Sequence, residues 1–67
     1  MARDIQLFGI LDTNDKWFII LNDDGTYISG TFEEAARLNV LQLEEWLKII
    51  KAFNIQYKVK AFQYVST

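Results

Sequence analysis

The sequence contains no cysteine and no histidine. Without cysteine, the disulfides that hold many small secreted domains together are excluded, and without both residue types a structural zinc ion has no thiolate or imidazole ligand. Catalysis by a histidine base or a cysteine nucleophile is excluded for the same reason. We therefore expect a non-enzymatic protein without a cofactor or a metal ion, whose fold depends on side-chain packing.

Glycine is scarce, and the acidic residues do not form a familiar site. The three glycines do not adjoin one another, and the chain has no glycine-rich phosphate loop. For the acidic turn at residues 22–25 to be a calcium loop, Gly25 would have to be the invariant glycine. Ile20 then falls at the first ligand position, and Thr31 falls where a bidentate glutamate belongs. A hairpin turn is the better interpretation.

The chain is short but rich in apolar residues. It has 67 residues, of which 51% are hydrophobic and 15% aromatic. A single small core does not readily bury that much apolar surface. We therefore expect one domain over residues 1–67 whose surplus apolar surface contacts a protein partner or a second copy. The sequence has no signal-peptide pattern and no run of about 18 apolar residues, which predicts a soluble cytoplasmic protein without a membrane segment.

The charge is weakly acidic in total and unevenly distributed. The net charge is −2, and the last acidic residue is Glu45, so that Lys48, Lys51, Lys58 and Lys60 make the C-terminal third locally basic. The total gives no electrostatic reason to expect nucleic-acid binding. Lysines at a helix end and on the solvated face of a strand are sufficient to explain the basic third, and an acidic partner is the alternative.

Three strands are predicted in the first half of the chain. Residues 4–10 alternate loosely before the polar sequence DTNDK, and Gly9 within them indicates a bulge or a close backbone approach. Residues 17–21 are apolar at every position, which is typical of a strand in the middle of a sheet. The sequence NDDG predicts a hairpin turn, and residues 26–29 form the return strand.

A helical segment is predicted next. Thr31 is followed three residues later by a glutamate, which is the spacing of a capping box at a helix N-terminus. Asn39 either ends this first helix or caps a second one with Gln42, and we predict a break or kink there. From residue 40 to residue 53, apolar side chains fill about half of a helix circumference, with Trp46 near its centre.

The last segment is predicted to be a half-buried strand. Over residues 55–61, apolar side chains alternate with polar ones that include Lys58 and Lys60. The alternation reverses at Phe62 and Tyr64, so either these rings share the lysines' face or a bulge rotates them into the core. We predict outward rings beside a free strand edge, which makes Lys58, Lys60, Phe62 and Tyr64 the candidate partner-binding residues.

Together these elements predict an α+β fold of order β-β-β-α(α)-β. A small antiparallel sheet is covered on one face by the helical segment.

Two short segments resemble known families. The string EAARLNV at residues 34–40, followed by Trp46, resembles the helix-turn-helix opening of excisionase-type winged-helix proteins, which implies a second helix that reads DNA. Here Asn39 replaces the usual glycine, and the second helix presents two glutamates beside its lysines, unlike a recognition helix. The string NDDGTYIS resembles the strand-turn segment of MbtH-like proteins, which assist peptide synthetases, but the tryptophan-proline pair that follows there is absent. No functional residue is transferred from either family.

We interpret the sequence as a protein-interaction module that docks on itself or on a larger protein through aromatic surface and a sheet edge. The small size and the lack of cysteine and proline would suit a bacterial or bacteriophage accessory or inhibitor protein. The alternative is a winged-helix-like or β-sheet nucleic-acid-binding domain that uses Lys48, Lys51, Lys58 and Lys60, with strand aromatics that stack on bases. Protein contact is favoured over nucleic-acid contact.

Overall fold

In the computed structural model, which describes residues 6–62, a four-stranded antiparallel sheet packs against one α-helix. The elements in chain order are β1 (Leu7–Leu11), β2 (Trp17–Leu21), β3 (Tyr27–Gly30), a 3-10 turn (Phe32–Glu34), α1 (Val40–Ala52) and β4 (Lys58–Phe62). The strand order is β3-β2-β1-β4, with α1 between β3 and β4 in sequence. This confirms the predicted α+β fold and the interior position of the uniformly apolar strand.

The two hairpin turns share one backbone design. In the first, the Asp12 N–H donates to the Lys16 carbonyl at 2.8 Å, and the equivalent hydrogen bond in the second is also 2.8 Å. The fourth residue of each turn has a positive φ, which is 60° at Asp15 and 88° at Gly25. A turn closed by one left-handed residue is a common three-residue hairpin connection.

A bulge in β2 decides which apolar side chains face α1. The pairing of β2 with β3 shifts register between Phe18 and Ile20. Because the bulge adds one residue, Phe18 and Leu21 both pack in the core beneath α1. Ile19 and Ile20 consequently lie on the other face of the sheet, which we call the open face.

The chain segment after the 3-10 turn fills a gap between β1 and β2. The Ala36 N–H donates to the Phe18 carbonyl at 3.0 Å, while Phe8 and Leu38 exchange two backbone hydrogen bonds of 2.8 and 2.9 Å. The segment is therefore extended, and its side chains alternate. Ala36 and Leu38 pack with the core, so Arg37 projects to the open face.

The first predicted helix is shortened to a single 3-10 turn. The Thr31 N–H donates to the Glu34 carboxylate at 3.3 Å, which is the glutamate half of the predicted capping box, and the Thr31 hydroxyl donates to the same carboxylate at 3.1 Å. The backbone then leaves helical conformation at Ala35, because the next residues bond to the strands. Asn39 caps α1, with its side chain accepting from the Gln42 N–H at 2.8 Å. The break at Asn39 is thus the start of a second helical element.

The C-terminus of α1 closes in a Schellman motif. The N–H groups of Asn54 and Ile55 donate to carbonyls of the last helical turn at 3.3 and 2.9 Å, and Asn54 has a φ of 54°. The Phe53 ring lies against Gly25, where a Cβ atom would be 2.6 Å from the ring. These contacts fix the end of α1 against the β2–β3 turn.

The core lies between the sheet and α1. Its buried residues are Ile10, Phe18, Leu21, Leu38 and Ile50. The helical spacing predicts Trp46 at the centre of the apolar side of α1. Instead, Trp46 is partly buried at the rim of the core, and Ile50 is the helical side chain with no exposed surface.

Candidate protein-binding surface

The open face carries an aromatic cluster formed by Trp17, Phe32 and Phe62. The ring centres of Trp17 and Phe62 lie 5.3 Å apart, and Phe32 stands edge-on to both rings at 5.3 and 5.5 Å. The rings meet above Gly9, where a Cβ atom would be 2.5 Å from Cζ of Phe62 and 2.6 Å from Cζ3 of Trp17. At Gly9, where the sequence predicts a bulge or a close backbone approach, the structure shows the close approach of two aromatic side chains.

Arg37 lies over this aromatic cluster. Its Cζ atom is 5.5 Å from the ring centre of Phe32 and 5.3 Å from that of Phe62, which is within the range of cation–π attraction. Its Nη1 atom donates to the Ala35 carbonyl at 2.9 Å. This is the one hydrogen bond that the guanidinium makes within residues 6–62, so further N–H donors are left for another group.

A shallow, open groove runs beside the aromatic cluster, and we call it the open-face groove. Its volume is about 710 Å³, and its lining consists of Gln6, Trp17, Phe32, Arg37, Lys60, Ala61 and Phe62. Both charged residues in this lining are cations. The Gln6 side chain donates to the Phe62 carbonyl at 2.8 Å and so joins the ends of β1 and β4.

The open face also carries exposed apolar side chains that do not line the groove. Ile20 and Ile28 form a cross-strand pair, and their exposed fractions are 47% and 55%. Phe32 is 52% exposed at the rim of the groove. A cross-strand pair of exposed isoleucines on the face that also holds the groove adds apolar surface available to a partner.

The four candidate residues have different environments. Lys58 and Lys60 are exposed and lie on the open face, as the alternation predicts. Phe62 shares their face, but the expectation of an exposed ring is wrong, because packing by Trp17 leaves it 8% exposed. Tyr64 lies outside the described residues. The role of these residues in binding stays a prediction.

The lysines of the nucleic-acid alternative do not form one basic surface. Lys58 and Lys60 lie on the open face, whereas Lys48 and Lys51 line a depression with Glu44 on α1, which covers the opposite face. Within residues 6–62, α1 is also the one α-helix, so the first helix of a helix-turn-helix is missing.

Sequence reasoning did not identify Trp17, Phe32 and Arg37 as members of a binding surface. Phe32 and Arg37 lie in a segment whose capping residues predict a helix, and a helix would give Arg37 a different direction. The one usable signal in the sequence was Gly9, because a glycine inside a strand indicates that other atoms approach the backbone closely. It does not indicate which side chains approach, and in the structure these are Trp17 and Phe62.

Asp12 is the buried charged residue of the described chain, with 6% of its surface exposed. Its Oδ1 atom accepts from the N–H groups of Asn14 and Lys16 at 2.8 and 3.0 Å. Burial raises the pKa of this carboxyl, but those two donors, the Ser29 hydroxyl and the Lys16 charge outweigh burial and hold the pKa below its usual value. The Asp12 carboxylate therefore stabilises the first hairpin turn.

The remaining acidic side chains among residues 6–62 form no centre for metal chemistry. The hydroxyl and the N–H of Thr26 lower the pKa of the exposed Asp24 by donating to its carboxylate at 2.6 and 3.0 Å. Over residues 6–62, no three acidic side chains are grouped so that they could hold a metal ion.

In the described part of the chain, no helix has both the length and the apolar character needed to cross a membrane. No family model, no curated protein and no solved structure matches the chain.

Proposed function

We propose that this protein is a non-enzymatic protein-interaction module whose open-face groove docks an acidic segment of a larger protein. An accessory or inhibitor protein would act in this way. The observation that carries the proposal is the position of Arg37, which is held against two rings of the aromatic cluster.

The arrangement of Arg37 suits recognition of a carboxylate. A guanidinium that is already stacked and hydrogen-bonded loses little conformational freedom when it binds. It pairs with carboxylates through two parallel hydrogen bonds, and Lys60 adds a second positive charge at the same groove. The positive charges of Arg37 and Lys60 would therefore orient the acidic segment as it binds the groove.

Apolar area beside the cations supports a protein partner. Interfaces concentrate binding energy in aromatic and arginine side chains surrounded by apolar contacts. Phe32, whose ring lies under Arg37, supplies exposed apolar surface beside the guanidinium, and Ile20 and Ile28 supply more on the same face of the sheet. A second copy docked groove to groove would instead bring like charges together, which disfavours self-association through this surface.

The same groove is a poor platform for nucleic-acid bases. Base stacking needs open ring faces, but Phe62 is 8% exposed and lies between Trp17 and Arg37. Lys48 and Lys51 lie on the helical side of the molecule and cannot add to the groove.

Charge reversal on the two sides of the molecule tests the proposal. The immobilised wild-type protein is used to capture partners from an extract of the cell that makes it, and binding of the purified partner is then measured by calorimetry. We expect Arg37→Glu to weaken binding at least tenfold, and Lys48→Glu, which makes the same charge change on α1, to leave it unchanged. Phe32→Ser, at the rim of the groove, should also weaken binding. Its control is Leu41→Ser, which should leave binding unchanged because Leu41, 71% exposed, lies on α1.

Three results would contradict the proposal. Binding could survive both Arg37→Glu and Phe32→Ser, or the two control variants could weaken it equally. The captured molecule could also be nucleic acid, recognised by loss of capture after nuclease treatment and by a steep dependence on salt.

A further inference from the structure

Strand β4 has the sequence pattern of a half-buried strand but is exposed along most of its length. Every residue from Lys58 to Ala61 is exposed, and the exposed fraction of Val59 is 39%. β4 pairs with β1 on one side and is an edge of the sheet. Among residues 6–62, no strand pairs with its other side.

The two faces of β4 differ in chemistry. Lys60 is paired with Gly9, and Lys58 with Leu11, so both lysines lie on the open face. Val59 is paired with Ile10 of the core and therefore points to the side of α1. Because Val59 is more than one-third exposed, α1 does not cover this strand completely.

We infer that the free edge of β4 accepts an extended segment of the partner, with alternating acidic and apolar residues, as a fifth strand of the sheet. Backbone hydrogen bonds to an open edge supply affinity that does not depend on sequence. Side chains directly opposite each other share a face, so acidic residues would oppose Lys58 and Lys60, while apolar residues would lie beside Val59.

The inference rests on the proposed function, because it gives a conformation to the acidic segment that is proposed to bind the open-face groove. Lys60 and Phe62 belong both to β4 and to the groove lining, so an added strand would run along the border of the groove. A carboxylate of the same partner could then reach Arg37.

Charge selects an acidic partner over a second copy of this chain. An antiparallel copy of β4 centred on Val59 or on Lys60 would place lysine opposite lysine, which is destabilising. Lysines on an edge strand are also a common protection against indiscriminate pairing. The opposite edge, β3 (Tyr27–Gly30), has no charged residue in its strand and therefore no such selectivity.

Synthetic peptides test the inference on the intact protein. The probe is an acetylated and amidated EVEVEVE peptide, and its controls are EEEEVVV, which has the same composition without alternation, and KVKVKVK, which has the opposite charge. Binding is followed by NMR titration of backbone amides and by hydrogen exchange. We expect saturable shifts and slowed exchange at the amides of residues 58–62, with affinity for both control peptides at least tenfold weaker.

A charge exchange gives the reciprocal result. The variant with Lys58→Glu and Lys60→Glu should prefer KVKVKVK over EVEVEVE by at least tenfold, which corresponds to about 1.4 kcal/mol. Both positions are exposed, and circular dichroism checks the fold. If the double variant does not fold, Lys60→Glu alone should shift the preference in the same direction.

Other results overturn the inference. Equal binding of EEEEVVV would show attraction by charge without strand pairing, and a response at β3 in place of β4 would assign the wrong edge. A wild-type dimer that sediments as such and slows exchange at β4 would show that a second copy occupies it. If the peptides leave β4 unchanged while Arg37→Glu still weakens capture of the natural partner, strand addition fails and the docking function stands. If the peptides bind β4 but Arg37→Glu leaves that capture unchanged, the docking function fails at the groove.

Discussion

Gly9 is the residue that allows the aromatic cluster to form, since any Cβ atom there would overlap the rings of Trp17 and Phe62. We predict that Gly9→Ala lowers the free energy of unfolding by about 1–3 kcal/mol, because overpacking forces the rings away from their positions. Urea denaturation measures the loss. Gly30→Ala is the control, because the Cβ atom there meets flexible side-chain ends of Ile19 and Glu34. A larger loss in the control would contradict this account.

Asp12 makes the stability of the protein decrease at acidic pH. The pKa of its carboxyl is lower in the folded chain than its usual value, which is about 3.9 in the unfolded chain. Its contribution is therefore fully present above about pH 5 and is lost as the pH falls through the folded pKa, below about 4. We predict that Asp12→Asn flattens the decline in the free energy of unfolding between about pH 5 and pH 2.

Urea denaturation across this pH range measures the effect. The exposed position Asp23, on the second turn, gives the control variant Asp23→Asn. An unchanged acid dependence in Asp12→Asn would mean that the hydrogen bonds from Asn14 and Lys16 do not favour the charged carboxylate.

The Schellman motif at the end of α1 gives a prediction at the scale of one element. Asn54 occupies a left-handed conformation with a φ of 54°, which glycine adopts without strain and alanine does not. We expect Asn54→Gly to be neutral or to stabilise the protein by up to about 1 kcal/mol, and Asn54→Ala to destabilise it by about 1 kcal/mol. Thermal unfolding distinguishes them, and a more stable alanine variant would be the contrary result.

The features that were predicted correctly from the sequence are those determined by residues close together in the chain. The turn residues and the uniformly apolar β2 required no knowledge of the rest of the chain. The capping pair of Asn39 with Gln42 was one of the two local alternatives at that position, and the structure shows this one. The segment at residues 35–38 could not be predicted in this way. It is extended because β1 and β2 separate and leave backbone groups for it to pair with, which is a property of the whole sheet.

The environment of Phe62 shows the same limit on predicting a site. Alternation along β4 correctly gave its face of the sheet, but its burial depends on Gly9 in β1, Trp17 in β2 and Phe32 in the 3-10 turn. Those contacts join distant parts of the chain. Sequence periodicity therefore found the lysines of the candidate surface and missed its arginine.

At the scale of the whole molecule, the two faces of the sheet have different roles. One face holds the core beneath α1, and the other combines exposed apolar side chains with a groove whose charged lining residues are Arg37 and Lys60. The chain has a net charge of −2, so this cationic groove is a local feature and does not follow from the total. Under the proposed function, this separation lets a protein of net negative charge bind an acidic partner through one cationic surface.

The most direct test of the open-face groove as the docking surface is site-specific photo-crosslinking. A benzophenone side chain replaces Phe32 at the rim of the groove or Leu41 on α1, two apolar positions that are 52% and 71% exposed. After irradiation in the cell that makes the protein, we predict one discrete protein adduct from position 32 that disappears when Arg37→Glu is added, and none from position 41. The same adduct from both positions, or one from position 41 alone, would contradict docking through the open face.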